Sequence, residues 1–172
     1  ARIVQKFGGT SVATVEHIRR AADVVARQVQ AGHEVVVAVS AMGDTTDRLA
    51  GLAREIAARP PRREMDMLLS SGEQVTIALL AMALVDRGIE AVSMLGHQVP
   101  FLTDSVHSRA RIREVGSDRL ETALAAGRVP VVAGFQGVDE HGEITTFGRG
   151  GSDTTAVALA AAIGADECQI LT

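Results

Sequence analysis

The sequence predicts an α/β domain with a mostly parallel sheet and helices on both faces. Two observations carry that reading. Short apolar runs at 3–4, 35–39, 91–95, 129–133 and 168–171 alternate with longer segments whose apolar residues recur every three or four positions. That is the pattern of strand, crossover helix, strand. The helical segments stop at Gly32, Pro60-Pro61, Gly88, Gly127 and Gly164, residues that end a helix through left-handed backbone or a missing N–H. Right-handed crossovers distribute such helices over both faces. Ligands then gather beyond the carboxyl ends of the strands.

In chain order, Ile3, Val4 and Phe7 mark a first strand and Gly8-Gly9 its turn. Ile18, Ala22, Val25 and Val29 share one helix face, with Thr14 as N-cap and Gly32 as the C′ stop. The uninterrupted apolar run 35–39 is a strand covered on both faces. The loop Ser40-Ala41-Met42-Gly43-Asp44 follows it. Leu49, Leu52, Ala53 and Ile56 mark a helix that Pro60-Pro61 ends, a break between helices and not a domain boundary. Met65, Leu68 and Leu69 open a helical stretch that Ser70-Ser71-Gly72-Glu73 interrupts and 75–85 resumes. A third strand is expected at 91–95, and short irregular pieces between Gly96 and Gly116. A helix at 120–126 and a buried strand at 129–133 come next. Asp139-Glu140-His141-Gly142 reads as the turn of a hairpin returning through 144–147. A helix at 154–163 and a last strand at 168–171 complete a single domain without repeats or linkers.

A chain of 172 residues, 47% of them hydrophobic, buries one sizeable core. Aromatics are only 2% and the net charge is −4. Both features argue against nucleic acid as a partner, since stacking platforms and a basic face are lacking. The lone Cys168 forms no internal disulfide, so the reducing cytoplasm is the expected location, and its apolar strand makes it a core filler. No apolar run reaches membrane-spanning length and no secretion signal is seen, so no membrane partner is expected. The five histidines lack metal-ligand spacing and read as surface or capping residues. Asp104, Asp139 and Glu140 read as solvated loop acids.

The stretch Gly148-Arg149-Gly150-Gly151-Ser152-Asp153 lies between a β-rich segment and a helix. It matches neither a Walker loop nor a dinucleotide fingerprint. Its glycines admit close backbone approach, the helix start offers N–H groups to an anion, and Arg149 supplies a two-pronged cation. Asp153 either caps the helix or holds a cation. Lys6, at a strand end before Gly8-Gly9, suits a phosphate cradled by the two glycine amides, or is a surface lysine before a turn. Glu73 could receive an ammonium, or be a first-turn acid favoured by the helix dipole. Ser40 is either a ligand donor or a turn residue.

Four motifs, Lys6-Phe7-Gly8-Gly9-Thr10-Ser11, Val39-Ser40-Ala41-Met42-Gly43, Ser71-Gly72-Glu73 and Phe147-Gly148-Arg149-Gly150-Gly151-Ser152-Asp153, occur in the order seen in aspartokinases. Gly134-Phe135-Gln136-Gly137 is also similar to theirs. The chain resembles that family along its whole length, and the first and last motifs together are highly specific. The resemblance implies a three-layer αβα sandwich of the amino-acid kinase type, unrelated to P-loop kinases. It implies transfer of the γ-phosphoryl group of MgATP to the β-carboxylate of L-aspartate, giving 4-phospho-L-aspartate, the first step toward lysine, threonine and methionine. A carboxylate nucleophile is already ionised near neutral pH, so no general base is required. By the family pattern Lys6 bridges the transferring phosphate, while Gly8, Gly9 and Ser11 line the phosphate cradle. Gly150, Gly151 and Ser152 join that anion-binding side. Arg149 clamps a substrate carboxylate, Glu73 takes the ammonium and Ser40 contacts the aspartate. Asp153 orients Lys6 and the ammonium. Mg²⁺ arrives with the nucleotide, and no protein ligand is assigned to it.

Family members continue past the last strand with an Asp-rich nucleotide-binding segment and two ACT regulatory modules. Thr172 matches the first residue of that segment. The chain is therefore expected to be the N-terminal, amino-acid-binding part of the catalytic domain, cut short at its C-terminal end. A homo-oligomer, or association with the absent regulatory part, is expected. Two other readings compete: another amino-acid kinase acting on a glutamate derivative or carbamate, and a non-catalytic anion-binding or assembly module. The Ser-Gly-Glu and Gly-Arg-Gly-Gly-Ser-Asp motifs disfavour the former.

Overall fold

The computed structural model describes residues 1–148 and 150–171. Two of the site residues predicted from sequence, Arg149 and Thr172, lie outside the described residues. Five parallel strands form the central sheet: β1 (Arg2–Phe7), β2 (Glu34–Val39), β3 (Ala91–Met94), β6 (Val129–Ala133) and β9 (Glu167–Leu171), in the order β3-β6-β2-β1-β9. Gln5 stands opposite Val37 on one side and Gln169 on the other, which fixes the register around the middle of β1.

Alternation of side chains across β2 builds the layers. Val35, Val37 and Val39 pack with Phe7 against α1 (Val15–Gln30) and α4 (Ser71–Asp86). Val36 and Ala38 pack with Val4 against α5 (Asp118–Ala125) and α6 (Gly151–Ile163). Helices thus cover both faces, as the three-layer expectation required. Thr14 caps α1 by accepting from the His17 N–H, and Gly32 follows the helix with φ +93°, both as predicted.

A second sheet, not anticipated, joins β4 (Phe101–Thr103), β5 (Ile112–Val115), β7 (Gln136–Val138) and β8 (Ile144–Thr146) in the order β5-β4-β7-β8. Only its β7–β8 hairpin was legible in advance. Strands of three or four residues carry too few alternations to show a period. Phe101 and Phe147 meet edge to face at 6.4 Å and join this sheet to the α5–α6 core.

Five further expectations change. The helix α2 (Thr45–Ile56) stops ahead of the prolines, and Leu52 and Ile56, which mark its helical period, are 56% and 88% exposed. The interruption at 70–73 shrinks to Ser70: α3 (Arg62–Leu69) leads into α4, with Gly72 and Glu73 in the first turn of α4. The path Arg62–Asp86 is long and apolar enough to cross a membrane by length and composition. Ile77, Leu80 and Leu84 of that path pack into the core beneath the sheet, while Met67, Val75, Met82 and Val85 are exposed. Cys168 is exposed and not a core filler. Asp139 is buried at 4% exposure, because it accepts from Ser105 Oγ and from the His141 and Glu143 amides and so closes the hairpin turn.

Candidate functional site

The strand order reverses at β1. From β1 the chain crosses through α1 on one face to β2, while α6 on the other face leads into β9. A crevice opens at such a switch point, beyond the strand carboxyl ends. Lys6, near the end of β1, reaches into it, and its Nζ lies 2.8 Å from Asp153 Oδ1.

The helix carrying Asp153 begins three residues earlier than the sequence suggested. Thr154 N–H donates to the Gly150 carbonyl at 3.0 Å, so Gly151, Ser152 and Asp153 form the first turn of α6. Gly and Ser have low helix propensity, which is why this turn reads as loop. Gly150 occupies the N-cap with φ +79°, a conformation natural to glycine. The first-turn amides have no acceptor within the helix and sit at the positive end of its dipole. Asp153 therefore pairs with Lys6 while Gly150 holds the cap position.

Neighbouring turns interlock with this one. Ser40 Oγ donates to Ser152 Oγ at 2.8 Å. A side chain at Gly151 would come within 2.6 Å of the Phe135 ring, and one at Gly72 within 2.8 Å of the Ala41 Cβ. Phe135 itself has φ +76°, with its N–H donating to Thr155 Oγ1 and its carbonyl accepting from Phe147 N–H. Gln136 Nε2 donates to the Ser70 carbonyl at 2.9 Å, tying the α3–α4 junction to β7.

Glu73 enters the cavity from the first turn of α4. It is 1% exposed, and among the described residues its Oε2 has no hydrogen-bond partner. Burial pushes its pKa up from the ordinary 4.5 to about 8, with its own backbone N–H offsetting part of that rise. An unpartnered buried carboxyl group is costly unless a ligand completes it.

Lys6, Ser40, Glu73, Gly150, Gly151, Ser152 and Asp153 all line one cavity of about 300 Å³. Gly8 abuts it, since a side chain there would meet Lys6 Nζ at 3.3 Å. Gly9 packs against the backbone of Ala41 and Gly43. Ser11 lies apart, in a neighbouring depression with Phe7 and Leu171. Ala41, Phe135 and Gly148, which stand in the sequence motifs without an assigned role, and Thr46, which stands in none, also line the cavity. For Thr46 a signal existed, its place at a helix start following Ser40. Asp66 was missed as well. An acid inside the run Met65-Asp66-Met67-Leu68-Leu69 was the available sign, and it is the buried residue of α3.

A parallel α/β sandwich whose cavity combines a strand-end lysine with a helix first turn, and whose sequence lacks a P-loop, is the architecture of one class of phosphotransferases. The chain belongs to the amino acid kinase family, whose profile matches residues 1–172. Within that class it is similar to aspartokinases. The aspartokinase of Pseudomonas aeruginosa is 61% identical over 172 residues, all of this chain and 42% of that protein. The crystal structure of aspartate kinase from Synechocystis superposes with TM-score 0.86 at 55% identity, over 100% of this chain and 28% of that one. E. coli aspartokinase III in complex with aspartate and ADP gives TM-score 0.89 at 27% identity, over 100% of this chain and 49% of that one. The chain thus spans less than half the length of these relatives.

Proposed function

We propose that the chain is the amino-acid-binding part of an aspartate kinase catalytic domain. One observation carries the reading: an unpartnered buried carboxyl group, Glu73, shares a small cavity with a lysine and the first turn of a helix. That set complements a small zwitterionic acid beside a phosphate. The Glu73 carboxylate would take the ammonium of L-aspartate. Lys6 and the α6 amides would hold the transferring phosphoryl group, with Asp153 keeping Lys6 in place. An oxygen of the substrate β-carboxylate would attack the γ-phosphorus of MgATP as the bond to ADP breaks, giving 4-phospho-L-aspartate and ADP. Such a reaction depends on positioning and charge neutralisation. Arg149, by its place in the motif, would clamp a substrate carboxylate. Gly8, Gly9 and Ser11 would lie on the nucleotide side with Thr172. The relatives named for aspartate kinase activity, and the E. coli structure containing aspartate and ADP, support this choice over other amino-acid kinases. Cytoplasmic location and assembly into a homo-oligomer accompany the proposal.

Isothermal titration with L-aspartate and L-glutamate, with and without MgADP, tests it. Heat selective for aspartate is expected. Equal responses to both acids, or none, would overturn the substrate assignment.

A further inference from the structure

The carboxylate of Asp66 is fully buried and collects hydrogen bonds from three separate residues. Its Oδ1 accepts from Thr146 Oγ1 at 2.6 Å, and its Oδ2 from Thr146 N–H at 3.1 Å. His107 Nδ1 lies 2.7 Å from Oδ2, and the Ser108 N–H is shared between both oxygens at 3.2 Å. Ser108 is held at φ +70°, a conformation serine rarely adopts without such support. The Thr146 carbonyl accepts from Ala110 N–H at 3.0 Å, so the end of β8 and the 107–110 turn are fastened together around one acid.

Both ends of this linkage lead into the cavity. Upstream, α3 passes through Ser70 into the first turn of α4, which carries Glu73. Downstream, Thr146 is followed by Phe147, whose N–H donates to the Phe135 carbonyl at 2.9 Å, and then by Gly148. Gly148 and Gly150 line the same cavity as Glu73.

We propose that Asp66 is a positioning residue for the acceptor site. It locks α3, which leads through Ser70 into the helix carrying Glu73, to the strand that leads to Gly148 and the first turn of α6. The spacing between the group for the ammonium and the groups for the phosphate is thereby fixed before substrate arrives. The inference rests on the proposed function, in which those two segments hold one acceptor. Preorganisation of this kind matters because small misplacements of reacting groups slow transfer strongly.

The test uses the full-length protein with four variants: Asp66→Asn, Thr146→Val, Thr146→Ser and Leu84→Ala. Leu84 is buried in the core on the α1–α4 side of the sheet, away from this linkage, and serves as a control for lost stability alone. KM for L-aspartate, KM for MgATP, kcat and Tm are measured for each. Asp66→Asn is expected to raise the aspartate KM about tenfold or more and to leave the MgATP KM within about twofold. Thr146→Val should raise the aspartate KM by about threefold or more, and Thr146→Ser should restore it, since the hydroxyl returns. Leu84→Ala should lower Tm without moving the aspartate KM beyond about twofold. An aspartate KM within about twofold of wild type in folded Asp66→Asn overturns the proposal. Where Asp66→Asn does not fold, an unchanged aspartate KM in Thr146→Val overturns it instead. An equal rise in Leu84→Ala overturns it too. If the wild-type protein phosphorylates a different acceptor, the proposed substrate is wrong, and the same KM comparison with that acceptor still decides the role of Asp66.

Discussion

Asp66 and Glu73 lie on consecutive helices, and both are at most 1% exposed. One is saturated with donors. The other keeps an oxygen with no partner among the described residues. Burial by itself therefore does not say what an acid is for. A carboxylate whose lone pairs are all used is fastening parts of the fold, while one left open toward a cavity still has an oxygen to offer a ligand. The contrast is sharper because the same short helical junction at Ser70 connects them.

The largest effect should come from neither acid. Lys6→Ala is expected to lower kcat by about a hundredfold or more, on the order of 3 kcal/mol, in a protein that remains folded. Near-normal turnover in that variant would remove Lys6 from the reacting centre. Next, urea unfolding should separate the two acids. Asp66→Ala strands the Thr146 and Ser108 amides and should cost about 2–3 kcal/mol. Glu73→Gln, which mimics the neutral acid, should cost no stability at pH 7 and should raise it, because the proton uptake that folding demands of the wild-type acid is gone. Equal losses would dissolve the distinction drawn between them.

The raised pKa of Glu73 gives a third test. Between pH 4.5 and about 8 the folded protein keeps a proton that the unfolded chain has released. Stability must then fall as pH rises through that window, by up to ~1.4 kcal/mol per pH unit, and level off above it. Glu73→Gln should flatten this slope. An aspartate ammonium seated on Glu73 should expel the proton at pH 7, so the binding heat should vary with the ionisation enthalpy of the buffer. The smallest effect is assigned to Arg149→Lys, where charge is kept and the fork is lost. The aspartate KM should rise about fivefold, or ~1 kcal/mol, with little change for ATP. A rise in the ATP KM alone would move Arg149 to the phosphate.

Much of this was legible because it depended on local pattern. The run 35–39 could only be a doubly covered strand, and Thr14 and Gly32 marked both ends of α1 from their residue types alone. Lys6, Ser40, Glu73 and Asp153 were chosen by motif, and the fold brings them to one cavity. What stayed hidden depended on distant partners. Asp139 reads as a solvated acid until Ser105 and the hairpin amides are placed around it. Asp66 looks like a stray charge on α3 until Thr146 closes on it, 80 positions later. Leu52 and Ile56 mark the helical period of α2, yet both are exposed, since period reports a face and not what covers it.

The glycine contacts around the cavity bear on how such a site can diversify. Gly151 leaves room for the Phe135 ring and Gly72 for Ala41, so turns from four elements rest on one another. A larger residue at Gly151 or Gly72 collides with a neighbouring turn and not with solvent. Lineages that exchange one acceptor for another must then revise several turns together, while the sheet beneath stays untouched. Single-turn transplants from a kinase of different preference would fail by steric conflict before their chemistry could be expressed, and paired transplants would be the shortest viable route.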